Sequence, residues 1–229
     1  STVTAYLLKK FGYNIEGFHI DLGMGEYSKK RLQAVRELCE QLGIKLHLYN
    51  IKDEMGSSMC YLRSKIQNKK SLKNCAICGV IKKWIFNREA RRLKADKIAT
   101  GHNLDDEIQT FLLNVLKGSL NLSAKSGAIT RSLPDKKFVP RIKPLFFVLE
   151  DDIREYSKKN NLPVVYEKCP CALDSYRITL RKFLNTLSEK EKLNIMKNFL
   201  SVYNKIKKND SEILYCEICG EPASNKICK

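Results

Sequence analysis

The sequence has 229 residues, with 42 Lys and Arg against 25 Asp and Glu, so its formal net charge at pH 7 is +17. Hydrophobic residues make up 43% of the chain, which is enough for a core, and no apolar run reaches the roughly 18 residues of a membrane helix. The charge excess favours a polyanionic partner, first nucleic acid and second an acidic membrane surface. A generally basic protein is the alternative.

Apolar periodicity predicts alternating helices and strands in the first half of the chain. The predicted helices span 2–11, 28–42 and 76–93 and start again at 104, and the predicted strands span 16–21, 45–50 and 97–100. Residues 52–73 are polar and lysine-rich, so we expect a loop with some helix there. The alternation predicts an α/β fold: a parallel sheet with helices on both faces, whose ligands lie beyond the carboxyl ends of the strands.

The second half of the chain has a less regular pattern. Residues 117–137 are rich in Gly, Ser, Lys and Asn and predict a mobile loop, whereas Pro140 and Pro144 favour an extended stretch over 138–145. The remaining predictions are a helix over 150–160, a strand over 164–166, a basic helical segment over 178–207 and a small zinc-bound element over 214–229.

The segment Gly101-His102-Asn103-Leu104-Asp105-Asp106-Glu107 joins a predicted strand to a predicted helix. A glycine there lets the backbone approach a ligand closely. The amides of a helix start favour anions, and carboxylates at the same place can hold a metal that carries phosphates. The segment therefore favours nucleotide and Mg²⁺ chemistry, and an ordinary acidic first helical turn is the alternative.

Nine cysteines are many for this length. Their odd number and two C-x-x-C pairs favour metal ligation in a reducing compartment over a disulfide framework, and no signal-peptide pattern opens the chain. A helical pattern that begins directly after Ser1, and a cysteine motif left incomplete at Lys229, lead us to expect a piece of a longer protein. The cysteines are Cys39, Cys60, Cys75, Cys78, Cys169, Cys171, Cys216, Cys219 and Cys228.

Cys75 and Cys78 come just before a predicted helix, and Cys169 lies far away in the sequence. Three thiolates are too few for a closed four-cysteine zinc site. They suit an iron–sulfur cluster with three protein ligands and one open iron, because four cysteines would close such a cluster. A redox dithiol and a zinc site completed by another ligand type remain alternatives.

The C-terminal cysteines have the spacing of a zinc knuckle. Cys216 and Cys219 form a C-x-x-C pair followed by Gly220, and Cys228 follows eight residues after that glycine. This pattern predicts three ligands of a structural zinc ribbon, with the fourth beyond Lys229. Three further cysteines receive no ligand role: Cys39 as a core residue, Cys60 as a bystander, and Cys171 as a spare thiol or a group beside the metal site.

Five motifs together resemble the tRNA 2-thiouridine synthetases of the PP-loop ATP pyrophosphatase superfamily. The resemblance is to the archaeal and eukaryotic wobble-uridine thiolases and their bacterial T-loop counterparts, and it covers nearly the whole chain. Only Ser1 of the family's Ser-Gly-Gly-Lys-Asp-Ser loop is present, and the family's N-terminal zinc finger is absent. The motifs are Thr100 to Glu107, Cys75-x-x-Cys78-Gly79, Arg141 to Leu145, Cys169-Pro170 and the terminal zinc knuckle.

The resemblance implies a role for each matching position. Asp106 would be the catalytic carboxylate, acting through Mg²⁺ or by orienting the reacting groups, and Lys82 would stabilise phosphate charge. Cys75, Cys78 and Cys169 would hold a 4Fe-4S cluster, and Cys216, Cys219 and Cys228 would hold zinc. The implied nucleotide-binding residues are Ser1, His19, Ile20, Asp21, Gly101 and Asp105.

The implied activity is ATP-dependent 2-thiolation of a tRNA uridine: adenylation of the C2 carbonyl oxygen, then sulfide transfer from the cluster. The implied cofactors are ATP, Mg²⁺, Zn²⁺ and the 4Fe-4S cluster. The partners are tRNA and a sulfur donor, either sulfide or a sulfur-carrier protein, and a homodimer stays open. Basic stretches at 177–182, 190–197 and 205–208 would follow the RNA phosphates. We expect a cytoplasmic enzyme and no membrane partner.

The lysine-rich composition and this motif set look archaeal, so the resemblance implies the wobble position, with the T-loop as the alternative. A cluster-free PP-loop enzyme that thiolates through a persulfide, or that amidates, is a second alternative. A non-enzymatic zinc- and RNA-binding protein is the third. The expected domains are a PP-loop catalytic domain over 1–175, a basic helical segment over 176–213 and a partial zinc ribbon over 214–229.

Overall fold

The computed structural model describes residues 1–68, 74–125, 127–130, 137–171, 176–206, 214–223 and 226–227. The helices in these residues are α1 Thr2–Lys10, α2 Glu26–Leu42, α3 Ile51–Met55, α4 Met59–Gln67, α5 Asn74–Arg92, α6 Leu104–Leu116, α7 Glu150–Lys159, α8 Tyr176–Leu184 and α9 Glu189–Ile206, with a 3-10 helix at Leu120–Lys125. The strands are β1 Gly17–Asp21, β2 Leu46–Asn50, β3 Ile98–Ala99, β4 Ile129–Thr130, β5 Arg141–Ile142, β6 Leu214–Tyr215 and β7 Pro222–Ala223.

The chain forms two compact units. The first unit contains Ser1–Lys82 and Glu150–Ser175, and the second contains Lys83–Leu149 and Tyr176–Lys229. The three-part division predicted from the sequence stays a prediction. No helix in the described part of the chain is long and apolar enough to cross a membrane.

The first unit is built around the parallel pair β1 and β2, in register from Gly17 opposite Leu46 to Asp21 opposite Asn50. The connecting helix α2 ends at Gly43, whose φ of 58° is left-handed and suits glycine. Gly17 also has to be glycine, because an added Cβ would stand 2.8 Å from the sulfur of Cys39. Cys39 is only 5% exposed, which confirms its predicted place in the core.

The second unit pairs β3 with β5 in parallel and β4 with β5 antiparallel. Its core forms where α6, α8 and α9 contribute apolar side chains, and burying these is the main favourable term in folding. The rings of Phe111 and Phe199 lie 4.7 Å apart at the edge of this core. The buried core residues are Leu104, Ile108, Phe146, Leu184, Met196 and Phe199.

Two predictions of secondary structure were wrong. Residues 164–166 form no strand; the Tyr166 hydroxyl instead lies 2.7 Å from the Ser157 hydroxyl of α7. The expected loop at 117–137 contains the 3-10 helix and β4, while 126 and 131–136 lie outside the described residues. The predicted helical segment over 178–207 is helical in the described residues. It is divided into α8 and α9, because Ser188 and Glu191 form a capping box that starts α9.

Candidate functional site

Cys75, Cys78 and Cys169 come together in the first unit. Cys75 is exposed at the start of α5, and Cys78 and Cys169 are half-buried. Burial raises the pKa of the Cys78 thiol, and the neighbouring Cys169 and Cys75 raise it further, whereas Lys82 and Arg63 lower it. The Tyr27 hydroxyl of α2 makes a hydrogen bond with Cys169. Three thiols from two distant segments are therefore neighbours, beside two cations and one phenol.

Cysteine thiolates are the donors that an iron–sulfur cluster takes from a protein. In the described part of the chain, no three His, Cys, Asp or Glu side chains converge closely enough to hold one metal ion. The thiolates that hold an iron–sulfur cluster bind different iron atoms, so they stand farther apart than the ligands of one ion. Three thiols that interact without such convergence fit a cluster with three protein ligands.

Arg63 brings together the two cysteines that received no ligand role. Its side chain is buried in α4, and Nη2 donates to the sulfur of Cys171 at 2.8 Å and to that of Cys60 at 3.1 Å. Its Nε also donates to the carbonyl oxygen of Met59 at 3.3 Å. Cys60, although exposed, is thus a hydrogen-bond partner of Arg63 rather than a bystander, and Cys171 contacts Arg63 next to the cysteine cluster.

The predicted adenosine-binding residues lie on β1. Burial lowers the pKa of His19 and Arg31 lowers it further, against the opposite effect of Asp21, so the imidazole is neutral at pH 7. Asp21 accepts a hydrogen bond from the Gly23 amide at 2.9 Å. Ile20 is 8% exposed and packs into the core. Ser1 is the exposed residue before α1, and Lys82 lies one helical turn after Cys78.

In the second unit, the segment after β3 turns sharply into α6. Thr100 donates its amide to the Ile142 carbonyl at 2.9 Å, and its hydroxyl lies 2.9 Å from Nδ1 of His102. Asn103 caps the helix, because its side-chain oxygen accepts the amide of Asp106 at 2.9 Å. Gly101 stands half-buried in the same turn. The sequence motif therefore forms the predicted strand-to-helix turn.

The three acidic residues of this turn have different environments. Asp105 and Glu107 are buried and form ion pairs, Asp105 with Lys192 at 2.8 Å and Glu107 with Lys143 at 2.7 Å. The carboxylate of Asp106 is more open and lies 3.8 Å from Arg181. Asp105 thus has a structural task, and Asp106 is the carboxylate that a substrate can reach.

The environment of Asp106 favours its protonated form. Burial raises the pKa of this carboxyl, against the opposite effects of the Asn103 hydrogen bond and of the cations Arg181 and Arg177. Its backbone carbonyl accepts a hydrogen bond from the Thr110 hydroxyl at 2.8 Å, which fixes the first turn of α6. A carboxylate with a raised pKa next to arginines is typical of a functional site.

The C-terminal cysteines lie on the hairpin of β6 and β7. Cys216 is buried and Cys219 is exposed, and the Gly220 amide donates to the Cys216 carbonyl at 2.8 Å. Gly220 has a φ of 66°, which lets the chain turn back toward β7. Cys228 lies outside the described residues, so the three-cysteine zinc site stays a prediction.

An α/β fold with a strand-to-helix acidic turn, and a separate group of three thiols, defines the class of a nucleotide-using enzyme with a thiol-ligated cofactor site. A family model described as a PP-loop domain matches residues 1–187. The chain therefore belongs to the PP-loop domain family.

Named relatives of the chain act on tRNA. The chain is 37% identical to the tRNA-5-methyluridine(54) 2-sulfurtransferase of Pyrococcus horikoshii, over 100% of this chain and 73% of that protein. It is 32% identical to the cytoplasmic tRNA 2-thiolation protein 1 of Caenorhabditis elegans, over 100% of this chain and 62% of that protein.

A solved structure agrees with these relatives. The U34-tRNA thiolase NcsA from Methanococcus maripaludis, with its 4Fe-4S cluster, matches with a TM-score of 0.80 and 28% identity. The match covers 100% of this chain and 74% of that one. The resemblance to tRNA thiolases and the α/β fold class predicted from the sequence are confirmed.

Proposed function

We propose that the chain catalyses ATP-dependent 2-thiolation of a uridine in tRNA, at the wobble position. The observation that carries the proposal is the group of three interacting thiols, Cys75, Cys78 and Cys169, in a PP-loop family member. An ATP pyrophosphatase alone needs no such thiols, whereas sulfur transfer does. The thiolase names of the relatives support the same reaction class.

The first step replaces a poor leaving group by a good one. The C2 carbonyl oxygen of uridine attacks the α-phosphorus of ATP, pyrophosphate leaves, and the oxygen now carries AMP. Residues Ser1, His19, Asp21 and Gly101 are the proposed contacts of the nucleotide. Lys82 would offset the charge that develops on phosphate, and Asp106 would orient the reacting groups or hold Mg²⁺.

The second step brings in sulfur. Hydrosulfide attacks C2, the C–O bond to AMP breaks, and the products are the thiocarbonyl and AMP. Cys75, Cys78 and Cys169 would hold the 4Fe-4S cluster, which when bound supplies sulfide close to the activated base. The Tyr27 hydrogen bond would orient Cys169 toward this task. Measured iron and acid-labile sulfide after anaerobic purification separate this reaction from a persulfide mechanism without iron.

Exposed cations of α8 and α9 are the proposed contacts of the RNA backbone. Arg177, Arg181 and Lys182 are exposed on α8, as are Lys190 and Lys197 on α9. Lys192 is an exception, since it is buried against Asp105. The predicted stretch at 205–208 ends outside the described residues. Binding through such contacts depends strongly on salt, because bound phosphates release counterions.

The remaining parts of the proposal concern zinc, partners and location. Cys216, Cys219 and Cys228 would hold a structural Zn²⁺. The sulfur donor would be sulfide or a sulfur-carrier protein. Thiolation of tRNA by relatives named cytoplasmic supports a cytoplasmic location.

A second candidate is thiolation of the T-loop uridine. It is favoured by the 37% identity to a sulfurtransferase named for uridine 54. Mass spectrometry of nucleosides from individually purified tRNAs of a deletion strain separates the two. Loss of 2-thiouridine from the anticodon loop would support the wobble assignment, and loss from the T-loop would overturn it. Intact thiolation at both positions would overturn the proposed function.

A further inference from the structure

A half-buried arginine, Arg141, and an exposed lysine, Lys83, are neighbours in the second unit. Arg141 of β5 donates from Nη2 to the backbone carbonyl of Lys83 on α5 at 3.1 Å, and its guanidinium stands 5.6 Å from the centre of the Phe138 ring. The Arg141 side chain is partly removed from water, whereas Lys83 is exposed. Burial lowers the pKa of Arg141, as expected of a guanidinium in such a place.

Two further cations stand close to this pair. Burial lowers the pKa of Lys83, and Arg141, Arg177 and Lys143 lower it further through charge repulsion. Lys143 is neutralised by its 2.7 Å ion pair with Glu107. Arg177 donates to the Thr110 hydroxyl at 3.3 Å, so its guanidinium lies against α6. Arg141 and Arg177 therefore lie close enough to Lys83 to repel its charge.

Lys83 and Arg141 make no ion pair with a carboxylate anywhere in the ranges that the structure describes. For the half-buried guanidinium of Arg141, the lack of a counter-charge costs free energy, and the positive charges of Lys83 and Arg177 nearby add to this cost. Folded proteins keep such local conflicts mainly where function requires them. An anionic ligand would remove the conflict.

The position of the cluster agrees with a ligand site. Lys143 follows β5 and His102 follows the parallel strand β3, so both lie at the carboxyl ends of these strands, where α/β sheets bind ligands. Burial, together with Lys143, Arg177 and Lys83, lowers the pKa of His102 to about 4. Its imidazole is therefore neutral and can hydrogen-bond a ligand without adding charge.

We propose that Lys83, Arg141 and Arg177 form a phosphate-binding site that holds a substrate of the thiolation reaction. The inference rests on the proposed function, whose two substrates, tRNA and ATP, both carry phosphate. A phosphate offers several acceptor oxygens to several donors, and arginine binds it through two parallel hydrogen bonds. A carboxylate has only two acceptor oxygens, so it would form hydrogen bonds with fewer of these three cations than a phosphate would.

The test compares Lys83→Gln with Lys97→Gln in the full-length protein. Lys97 is exposed in the same unit, and both changes remove one positive charge. Affinities for unmodified tRNA and for ATP are measured separately, with Arg141→Gln as a second site variant. We expect Lys83→Gln to lower the affinity for one of the two ligands about tenfold. Lys97→Gln should change the affinity for either ligand by less than about twofold.

Comparing the affinities for tRNA and for ATP shows which substrate supplies the phosphate. Weaker tRNA binding with a smaller salt dependence and unchanged ATP affinity assigns the site to the RNA backbone. Weaker ATP binding with unchanged tRNA affinity assigns it to the nucleotide. Lys83→Gln and Arg141→Gln variants that bind both ligands like wild type would overturn the site.

Thermal melting of each variant shows whether a lower affinity is caused by unfolding. Because Lys83 repels its neighbours, Lys83→Gln should melt no lower than wild type without ligand. A failed site is distinguishable from a failed function. In the first case wild-type protein thiolates tRNA and the variants bind normally, and in the second it thiolates no tRNA at all.

Discussion

The Nη2 atom of Arg63 donates to the sulfur of Cys171 at 2.8 Å, whereas Cys169, two residues earlier, makes its hydrogen bond with Tyr27. The Cys-Pro-Cys segment thus presents its two thiols to different partners. Cys169 belongs with Cys75 and Cys78, and Cys171 belongs with Arg63 and Cys60. This separation assigns different tasks to cysteines that the sequence places almost together.

The first prediction compares Cys169→Ser with Cys171→Ser. We expect Cys169→Ser to lose the cluster, because two protein thiolates remain, and to thiolate tRNA at least about 10²-fold more slowly. Cys171→Ser should keep the iron content and the visible absorbance of wild type, since a hydroxyl can also accept from Arg63. Anaerobic reconstitution with iron and sulfide measures both. Full iron content in Cys169→Ser would contradict the assignment.

The second prediction separates the two neighbouring aspartates. Asp105→Asn leaves Lys192 buried without its counter-charge, so we expect a loss of about 3 kcal/mol in the free energy of unfolding. Asp106→Asn should lose no stability at pH 7 and keep the cluster, but lower the thiolation rate by at least about 10²-fold. Urea unfolding and single-turnover assays on both variants measure this. An active Asp106→Asn enzyme would remove Asp106 from the mechanism.

The third prediction concerns pH. Burial raises the pKa of Asp106 above its ordinary value of 3.8, so the folded protein binds this proton more tightly than the unfolded chain does. The resulting stabilisation is present at low pH and is lost as the pH rises through the folded pKa. Asp106→Asn lacks this titration. Its melting temperature relative to wild type should therefore increase from about pH 4 to about pH 7. A constant or decreasing difference, measured on both proteins without metal, would contradict the raised pKa.

Local signals predicted much of the fold. Periodicity placed α2, β1 and β2 to within about two residues, because each has one apolar face and a clear end such as Gly43. Residues 164–166 look like a strand, but the hydroxyl of Tyr166 contacts Ser157 and no partner strand pairs with the segment in the described structure. The start of α9 was missed although Ser188 and Glu191 carry the capping-box spacing.

The site was only partly predictable, because its remaining contacts are long-range. Arg63 and Cys171 are 108 residues apart, and no periodicity connects them. The sequence does not distinguish Lys83 from other exposed lysines, and only the position of Arg141 beside it reveals a cationic cluster. Asp105 and Asp106 are identical in type and adjacent in sequence. Their separate environments depend on Lys192 and Arg181, which later helices supply.

The fourth prediction uses two lysines of the basic helices as a matched pair. Lys182 is exposed on α8, so Lys182→Gln should leave stability unchanged, weaken binding of every tRNA severalfold, and reduce the slope of log affinity against log salt by about one. Lys192 is 7% exposed and pairs with Asp105. Lys192→Met should instead cost about 3 kcal/mol of stability and leave the salt slope of the remaining folded protein unchanged.

Fluorescence anisotropy at several salt concentrations and urea unfolding distinguish the two effects. The comparison is informative because both substitutions remove one positive charge from the same basic region, so net charge alone predicts equal losses of affinity. A lower salt slope in Lys192→Met, or an unchanged one in Lys182→Gln, would show that exposure does not decide which lysines contact RNA. In that case α8 would not lie along the phosphate backbone.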